Sequence, residues 1–240
     1  MKIAGLLKTS LIEWPGKIVS VIFVPGCNFR CPFCHNADLV RNRGLTLIDE
    51  EQVFADLKKR KKWIDGVVIT GGEPTLQADL PKFLESLKKM GFETMIETNG
   101  SRPEALKSIL NFKFKILNFV AMDIKGPIGE YERFIKVKSQ KSKVKSSIEL
   151  ILKSGIDFEF RTTVVPGLHN KEVLIKMAKQ LKKLAISNQQ STIKWYLQNF
   201  QPKNCLDPEF EKMKPFAKTE LGVFLKAVRK VLPQTELRRI

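Results

Sequence analysis

Short runs of apolar, β-branched and aromatic residues recur along this chain, separated by longer stretches in which apolar positions return every three or four residues. Six of the runs read as strands: "IVSVIFV" from Ile18, "GVVITGG" from Gly66, "FETMIET" from Phe92, "LNFVAMDI" from Leu117, "DFEFRTTVV" from Asp157 and "IKWYLQNF" from Ile193. The intervening spacing predicts helices over Asp49–Trp63, Asp79–Met90, Pro103–Leu110, Ser146–Ser154 and Lys171–Leu184, with a last one from about Lys218 to Val231. The first opens on acids and closes on a basic cluster, which suits the helix dipole. The second has Asp79 as its expected N-cap, Pro81 in its first turn and Gly91 just past its end. Strand alternating with helix predicts an α/β fold, a parallel sheet with helices outside. Right-handed crossovers would curl it into a partial (β/α)6 barrel of the TIM type. A single domain is expected over 1–240. Within it "KVKSQKSKVKSS", at about 136–147, reads as an exposed basic loop, and the last helix, about 218–231, completes the chain.

In barrels of this kind chemistry gathers at the C-terminal ends of the strands. The residues following the six runs carry that character: "PGCNFRC", "GGEP", "TNG", "DIK", "PGLHN" and "QPKNC".

Composition narrows the setting. Hydrophobic residues make up 43% of the chain and charged ones 28%, as in a globular protein with a sizeable core. No apolar stretch approaches a membrane span, no signal-peptide pattern is present, and the expected location is the cytoplasm. Three of the four cysteines are crowded together, so a disulfide framework is not expected and a metal or redox role is. The net charge of +17 comes chiefly from lysines on the polar faces of the helical segments, as in "DLKKRKKW" and "KMAKQLKKL". Basic stretches interleaved with aromatics, of the kind that stack on bases, are lacking. The charge reads as a solvated lysine-rich surface, and neither nucleic acid nor a membrane is expected as a partner.

The cysteines are spaced C-x3-C-x2-C, at Cys27, Cys31 and Cys34. A structural zinc site needs four ligands, often two paired units, and the second pair is missing. His35, adjacent to Cys34, is awkwardly placed to complete a tetrahedron, and Cys205 is remote in sequence. Disulfide exchange would use one C-x2-C pair and leave Cys27 superfluous. A cubane iron–sulfur cluster has four irons, so three thiolates leave one iron open to a small molecule. Structural zinc stays as the alternative.

"CNFRCPFC", with the aromatic Phe33 before its third cysteine, resembles the cluster motif of the radical S-adenosylmethionine (SAM) enzymes. The resemblance implies a [4Fe-4S] cluster on Cys27, Cys31 and Cys34. It further implies SAM bound at the open iron, cleaved by one electron to a 5′-deoxyadenosyl radical. "GGEP", Gly71, Gly72, Glu73 and Pro74, matches the family motif for the methionine amino group: glycines allow close backbone approach, and a carboxylate can receive an ammonium. "ETNG", with Thr98 and Asn99, and "MDIK", with Asp123 and Lys125, resemble strand ends of glycyl-radical-enzyme activases. There the lysine meets the methionine carboxylate and the aspartate lies near the ribose. "VVPG", with Val165, resembles the segment beside the adenine, and Asn36 is a further expected cofactor contact. Glu97 stands where those activases have an aspartate, which puts any cation site there in question. Their ribose histidine near the sixth strand end has no counterpart in "LQNFQP", where Gln198 and Gln201 are the candidates. No side chain is expected to be catalytic beyond the cluster and SAM.

The resemblance covers nearly the whole chain. "KTSLIEWPGKIVSVIFVPGCNFRCPFCHN" is most similar to the activating proteins of anaerobic ribonucleoside-triphosphate reductase, and no cysteine between Cys34 and Cys205 could serve an inserted ferredoxin-like module. The implied function is hydrogen abstraction from a glycine of that reductase, with a low-potential donor such as flavodoxin or ferredoxin. Alternatives are activation of another glycyl radical enzyme of the formate-lyase type, radical chemistry on a small molecule or peptide, or a non-enzymatic metal-binding adaptor. Blander roles are expected elsewhere: Trp14, Trp63 and Trp195 as core or interface aromatics, Cys205 as structural, His35 without a metal role, and His169 as either a turn residue or a functional one.

Overall fold

The computed structural model describes residues 1–238. Its one sheet has eight strands in sequence order: β1 (Gly5–Ser10), β2 (Val19–Val24), β3 (Gly66–Gly71), β4 (Glu93–Thr98), β5 (Phe119–Asp123), β6 (Asp157–Val164), β7 (Trp195–Asn199) and β8 (Thr235–Leu237). Neighbours from β2 to β8 pair parallel, while β1 returns antiparallel along β2. β2 to β7 are the six strands the sequence predicts. β1 and β8 sit at the two edges and do not pair with each other, so the barrel is partial. The seam is bridged by Arg238, whose guanidinium donates to the carbonyls of Ile12 (2.6 Å) and Glu13 (2.9 Å) in the β1–β2 turn.

Two apolar layers hold the sheet. Outward residues such as Ile22, Ile69, Ile96, Val120, Phe160 and Leu197 are buried under the helices in the large core. Inward residues form a second, smaller core of Trp14, Val19, Val21, Val68, Met95, Phe119 and Ala121. Each fully buried side chain of this size stabilises by about 1.5–3 kcal/mol. The inward face changes character up each strand, from Val68 to Thr70, Met95 to Glu97 and Ala121 to Asp123. The strands' lower half is therefore packed, and their C-terminal ends surround a polar cavity.

The helices are α1 (Ala37–Arg41), α2 (Glu50–Arg60), α3 (Leu80–Lys89), α4 (Pro103–Leu110), α5 (Tyr131–Ile135), α6 (Lys141–Lys153), α7 (Lys171–Ser187) and α8 (Lys218–Arg229). Asp49 caps α2 through the Glu51 N–H, and Asn170 caps α7 through that of Val173. Asp79 does not cap α3; its carboxylate pairs with the N-terminal ammonium of Met1 at 2.6 Å. Among the described residues no helix is long and apolar enough to cross a membrane.

The basic segment at 136–147 departs from its expected form. Its second half is the start of α6, with Val144, Ser147, Ile148, Ile151 and Leu152 buried at helical spacing. Lysines and serines fill the exposed positions so densely that the apolar stripe is thin, and a low-complexity reading hides it. Ser147 donates to the Gly100 carbonyl at 2.8 Å, so this stretch supports the end of β4. Of the three tryptophans, Trp14 and Trp195 are core residues and Trp63 is 74% exposed.

The helical reading of 141–147 gives a direct prediction. Val144→Asp should cost about 3–5 kcal/mol in urea denaturation, because it buries an unpaired carboxylate. Lys143→Asp, on the exposed face, should stay within about 0.5 kcal/mol of wild type.

Candidate metal and cofactor site

The cysteines lie on the loop from β2 to α1, at the C-terminal mouth of the barrel, and all three line a cavity of about 440 Å³. Such a volume is within the range of small-molecule sites. The loop is pinned from several directions. Arg30 N–H donates to the Ile135 carbonyl at 3.0 Å, and Phe29 meets Tyr131 edge-on, both on α5. From beyond β7, the Leu206 and Asp207 N–H groups each donate at 2.9 Å, to the carbonyls of Cys34 and Pro32. Asn204 Nδ2 reaches the His35 carbonyl at 3.2 Å. Cys205, within this strap, is buried and structural in placement.

The "GG" of "GGEP" has a steric reason. Gly72 donates to the Val24 carbonyl and Glu73 to that of Gly26, both at 2.8 Å, extending the β2–β3 contact past the strands. A Cβ on Gly72 would stand 1.9 Å from the Gly26 carbonyl oxygen, and Gly71 has φ +111°. Only glycine lets the two backbones touch here.

Of the residues singled out in the sequence, the cavity collects Cys27, Cys31, Cys34, Phe33, Asn36, Gly71, Gly72, Thr98, Asn99, Asp123 and Lys125. Glu73 and Val165 are fully buried and are not part of its lining. The Glu73 carboxylate is not free to receive an ammonium as the motif suggests. It accepts from Thr75 N–H (3.1 Å), Thr75 Oγ1 (2.5 Å), Thr98 Oγ1 (2.7 Å) and Asn99 N–H (2.7 Å), tying the end of β3 to that of β4. In this arrangement the motif's backbone, not its acid, borders the cavity.

Lys125 Nζ lies 3.0 Å from Asp123 Oδ2 and 6.0 Å from the centre of the Phe33 ring. Burial favours its neutral form, but the Asp123 carboxylate beside it outweighs burial, and the pKa is raised. A fixed ammonium therefore faces the cavity. Burial pushes Cys27 up to about 11 and Cys31 to about 12, so the free chain holds thiols, and loading a metal must displace protons. Cys27 Sγ receives the Phe29 N–H at 3.4 Å and Asn99 Nδ2 at 3.6 Å, donors suited to a thiolate. Asn99 is oriented by its Oδ1, which accepts from Ser101 N–H at 2.9 Å.

Below this layer is a charged floor the sequence reading did not foresee. Arg161 of β6 pairs with Glu97 and Glu159 and donates to the Glu13 carbonyl at 3.0 Å. Arg238 reaches Glu159 at 2.6 Å, and Thr70 Oγ1 donates to Glu97 at 2.7 Å. Glu97 is thus engaged by a guanidinium. Gln198 and Gln201 both line the cavity, and so does Asn199, which was not anticipated. Asn199 Nδ2 donates to the Phe216 carbonyl at 2.8 Å, which leaves its buried Oδ1 without a partner. His35 is an exposed residue at the rim of the cavity, and desolvation of its ring there lowers its pKa.

Among the described residues no three His, Cys, Asp or Glu side chains converge on the point a single ion would occupy, as zinc requires. Three thiols spread around one cavity, two of them half-buried, fit a cluster that offers a separate iron to each.

An open parallel barrel carrying a three-cysteine loop at its mouth defines a class, and the chain belongs to it: residues 21–179 match the family model described as the Radical SAM superfamily. That family uses a [4Fe-4S] cluster and SAM. The chain is similar, at 33% identity, to a protein of Methanocaldococcus jannaschii provisionally named a glycyl-radical enzyme activating enzyme, over 99% of this chain and 96% of the relative. It is 29% identical to the pyruvate formate-lyase-activating enzyme of Clostridium pasteurianum, over 76% of this chain and 77% of that one. Its fold is similar to that of Streptococcus suis SuiB bound to S-adenosylmethionine, with a TM-score of 0.61 and 17% identity. That match covers 90% of this chain and 51% of SuiB.

The glycine contact can be tested without SAM. Gly72→Ala should destabilise the apoprotein by about 1–3 kcal/mol and lower the iron and sulfide retained per chain after reconstitution. Gly129→Ala, where a Cβ meets nothing within 4 Å, should do neither.

Proposed function

We propose that this radical SAM enzyme is an activase that abstracts hydrogen from a backbone glycine of a partner enzyme, and that the partner is anaerobic ribonucleoside-triphosphate reductase. The observation that carries the activase reading is the 33% identity to the M. jannaschii relative along essentially the entire length of both chains. The choice of reductase rests on the opening stretch from Lys8 to Asn36 and its likeness to that subgroup.

Cys27, Cys31 and Cys34 would hold the cluster and leave one iron for SAM. When bound, the cluster supplies the electron that cleaves SAM reductively to the hydrogen-abstracting radical. The chain's own residues position the parts. The Lys125 ammonium, fixed by Asp123, suits the methionine carboxylate, and the Gly71–Gly72 backbone suits the amino group. Asp123 would face the ribose, and the "VVPG" segment with Val165, at the end of β6, would flank the adenine. Phe33, Asn36, Thr98 and Asn99 complete the enclosure beside the cluster loop. The paired charges of Arg161, Glu97 and Glu159 form the floor of the cavity, above the apolar lower half of the barrel. The electron would come from a low-potential donor such as flavodoxin or ferredoxin, for which the lysine-rich surface offers electrostatic steering.

A second reading has its own support in the 29% identity to a pyruvate formate-lyase-activating enzyme. The two are separated by the acceptor. The chain, reconstituted anaerobically with iron and sulfide, reduced and given SAM, is expected to form 5′-deoxyadenosine, and Cys31→Ala is expected to form none. Mixed with purified anaerobic ribonucleotide reductase, it should generate a glycyl-radical EPR signal. A signal with pyruvate formate-lyase and none with the reductase would replace the first partner by the second. An intact cluster that never yields 5′-deoxyadenosine, even with both partners present, would overturn the activase reading itself.

A further inference from the structure

His169 lies in the turn between β6 and α7, only 3% exposed, and is not part of the cavity lining. Its ring nonetheless spans two strand ends. Nδ1 accepts the Val165 N–H at 3.0 Å, and Nε2 stands 3.1 Å from the Lys125 carbonyl oxygen. An amide N–H can only donate and a carbonyl can only accept, so one tautomer satisfies both: the proton on Nε2, the lone pair on Nδ1. Burial pushes the pKa down to about 4, which keeps the ring neutral. Its face packs on Phe134 at 5.1 Å between centroids. The other side of the Lys125 residue is also held, its N–H donating to Tyr131 Oη at 3.1 Å. Of these two buried side chains, His169 is the one that continues to β6.

We propose that His169 is a positioning residue that fastens the β5 end to the β6 end, so that Lys125 and the "VVPG" segment with Val165 engage the two ends of SAM as one preformed unit. The inference rests on the placement of SAM given under Proposed function. Without the imidazole bridge the Lys125 peptide keeps Tyr131, and the strands stay joined as far as Ile124, whose N–H and carbonyl bond Arg161 and Thr162, but the last step from Lys125 to Val165 loses its direct link. A ligand that touches only one end should not sense the loss. One that touches both should.

The test uses the cluster-loaded chain and two ligands, SAM and 5′-methylthioadenosine, which has the adenosine half and no amino acid. His169→Phe keeps an aromatic ring against Phe134 and removes both hydrogen bonds. It should weaken SAM binding about 10–100-fold, the usual range for a lost supporting contact behind a bound group. Binding of 5′-methylthioadenosine should change less than about threefold and the iron content not at all. His169→Gln, whose amide N–H can still reach the Lys125 carbonyl, should recover most of the affinity for SAM. Adding His169→Phe to Lys125→Ala should cost little beyond Lys125→Ala alone, because the first acts through the second. If His169→Phe fails to hold the cluster, His169→Asn serves in its place: it keeps an acceptor for Val165 and releases Lys125, and the same selective loss of SAM is expected. Equal loss for both ligands, or additive losses in the double variant, would overturn the proposal. Unchanged SAM affinity in Lys125→Ala alone would instead remove the assumed placement of SAM, and the proposal with it. In the apoprotein, which has two histidines, 15N spectra of the imidazoles should show His169 as the Nε2–H tautomer; the opposite tautomer would also overturn the bridge.

Discussion

The geometry of the site depends on two backbones in contact. Gly72 lies so close to Gly26 that no side chain fits between them, and the hydrogen bonds of Gly72 and Glu73 carry the β2–β3 ladder past the last strand residues into the cysteine loop. A loop bearing three thiols would otherwise be free to move, as loops generally are. Here its position is inherited from the sheet. The same layer is then tied strand by strand: Glu73 to the end of β4, Ser147 to Gly100, His169 from β5 to β6, and the segment beyond β7 back to Cys34 and Pro32. Rigidity at the mouth thus comes from a circuit of hydrogen bonds between strand ends, with each donor or acceptor already used by the protein.

Under that circuit the barrel interior separates into a dry half and a charged half. Val68, Phe119 and Ala121 fill the lower part with side chains that carry no hydrogen-bonding group. One step higher, Arg161, Arg238, Glu97 and Glu159 are packed together. Burying such groups is costly, and pairing them recovers that cost only when the geometry satisfies most of their hydrogen-bonding capacity. The guanidiniums meet this condition by also donating to the carbonyls of Ile12 and Glu13. The turn that carries those carbonyls thereby becomes part of the cavity floor.

What the sequence made legible follows from burial. β2 to β7 have both faces covered, so their apolar runs are continuous and stand out, and the cysteine spacing is local and needs no fold to be read. β1 has three exposed residues in succession and β8 is three residues long at an open edge, so neither leaves a pattern. The start of α6 was masked by its lysines and serines. Arg161 and His169 acquire their roles from partners 148 and 44 residues away and Asn199 from a cavity wall, and no local spacing encodes such contacts. Glu73 illustrates the converse: its motif was visible, but only the structure reveals that its carboxylate is consumed internally.

The Arg238 bridge bears on how this chain comes together. It links residues 226 apart in sequence, whereas most sheet contacts join each strand to the next in the chain. Strand-by-strand accretion can therefore proceed as synthesis advances, but the seam is secured only after Arg238 has emerged. Until then the ionic floor of the barrel lacks one of its two guanidiniums, and Glu159 is left with a single cationic neighbour. The assembly order built into this topology puts completion of the cavity last, after the cysteine loop already has its bed in the sheet.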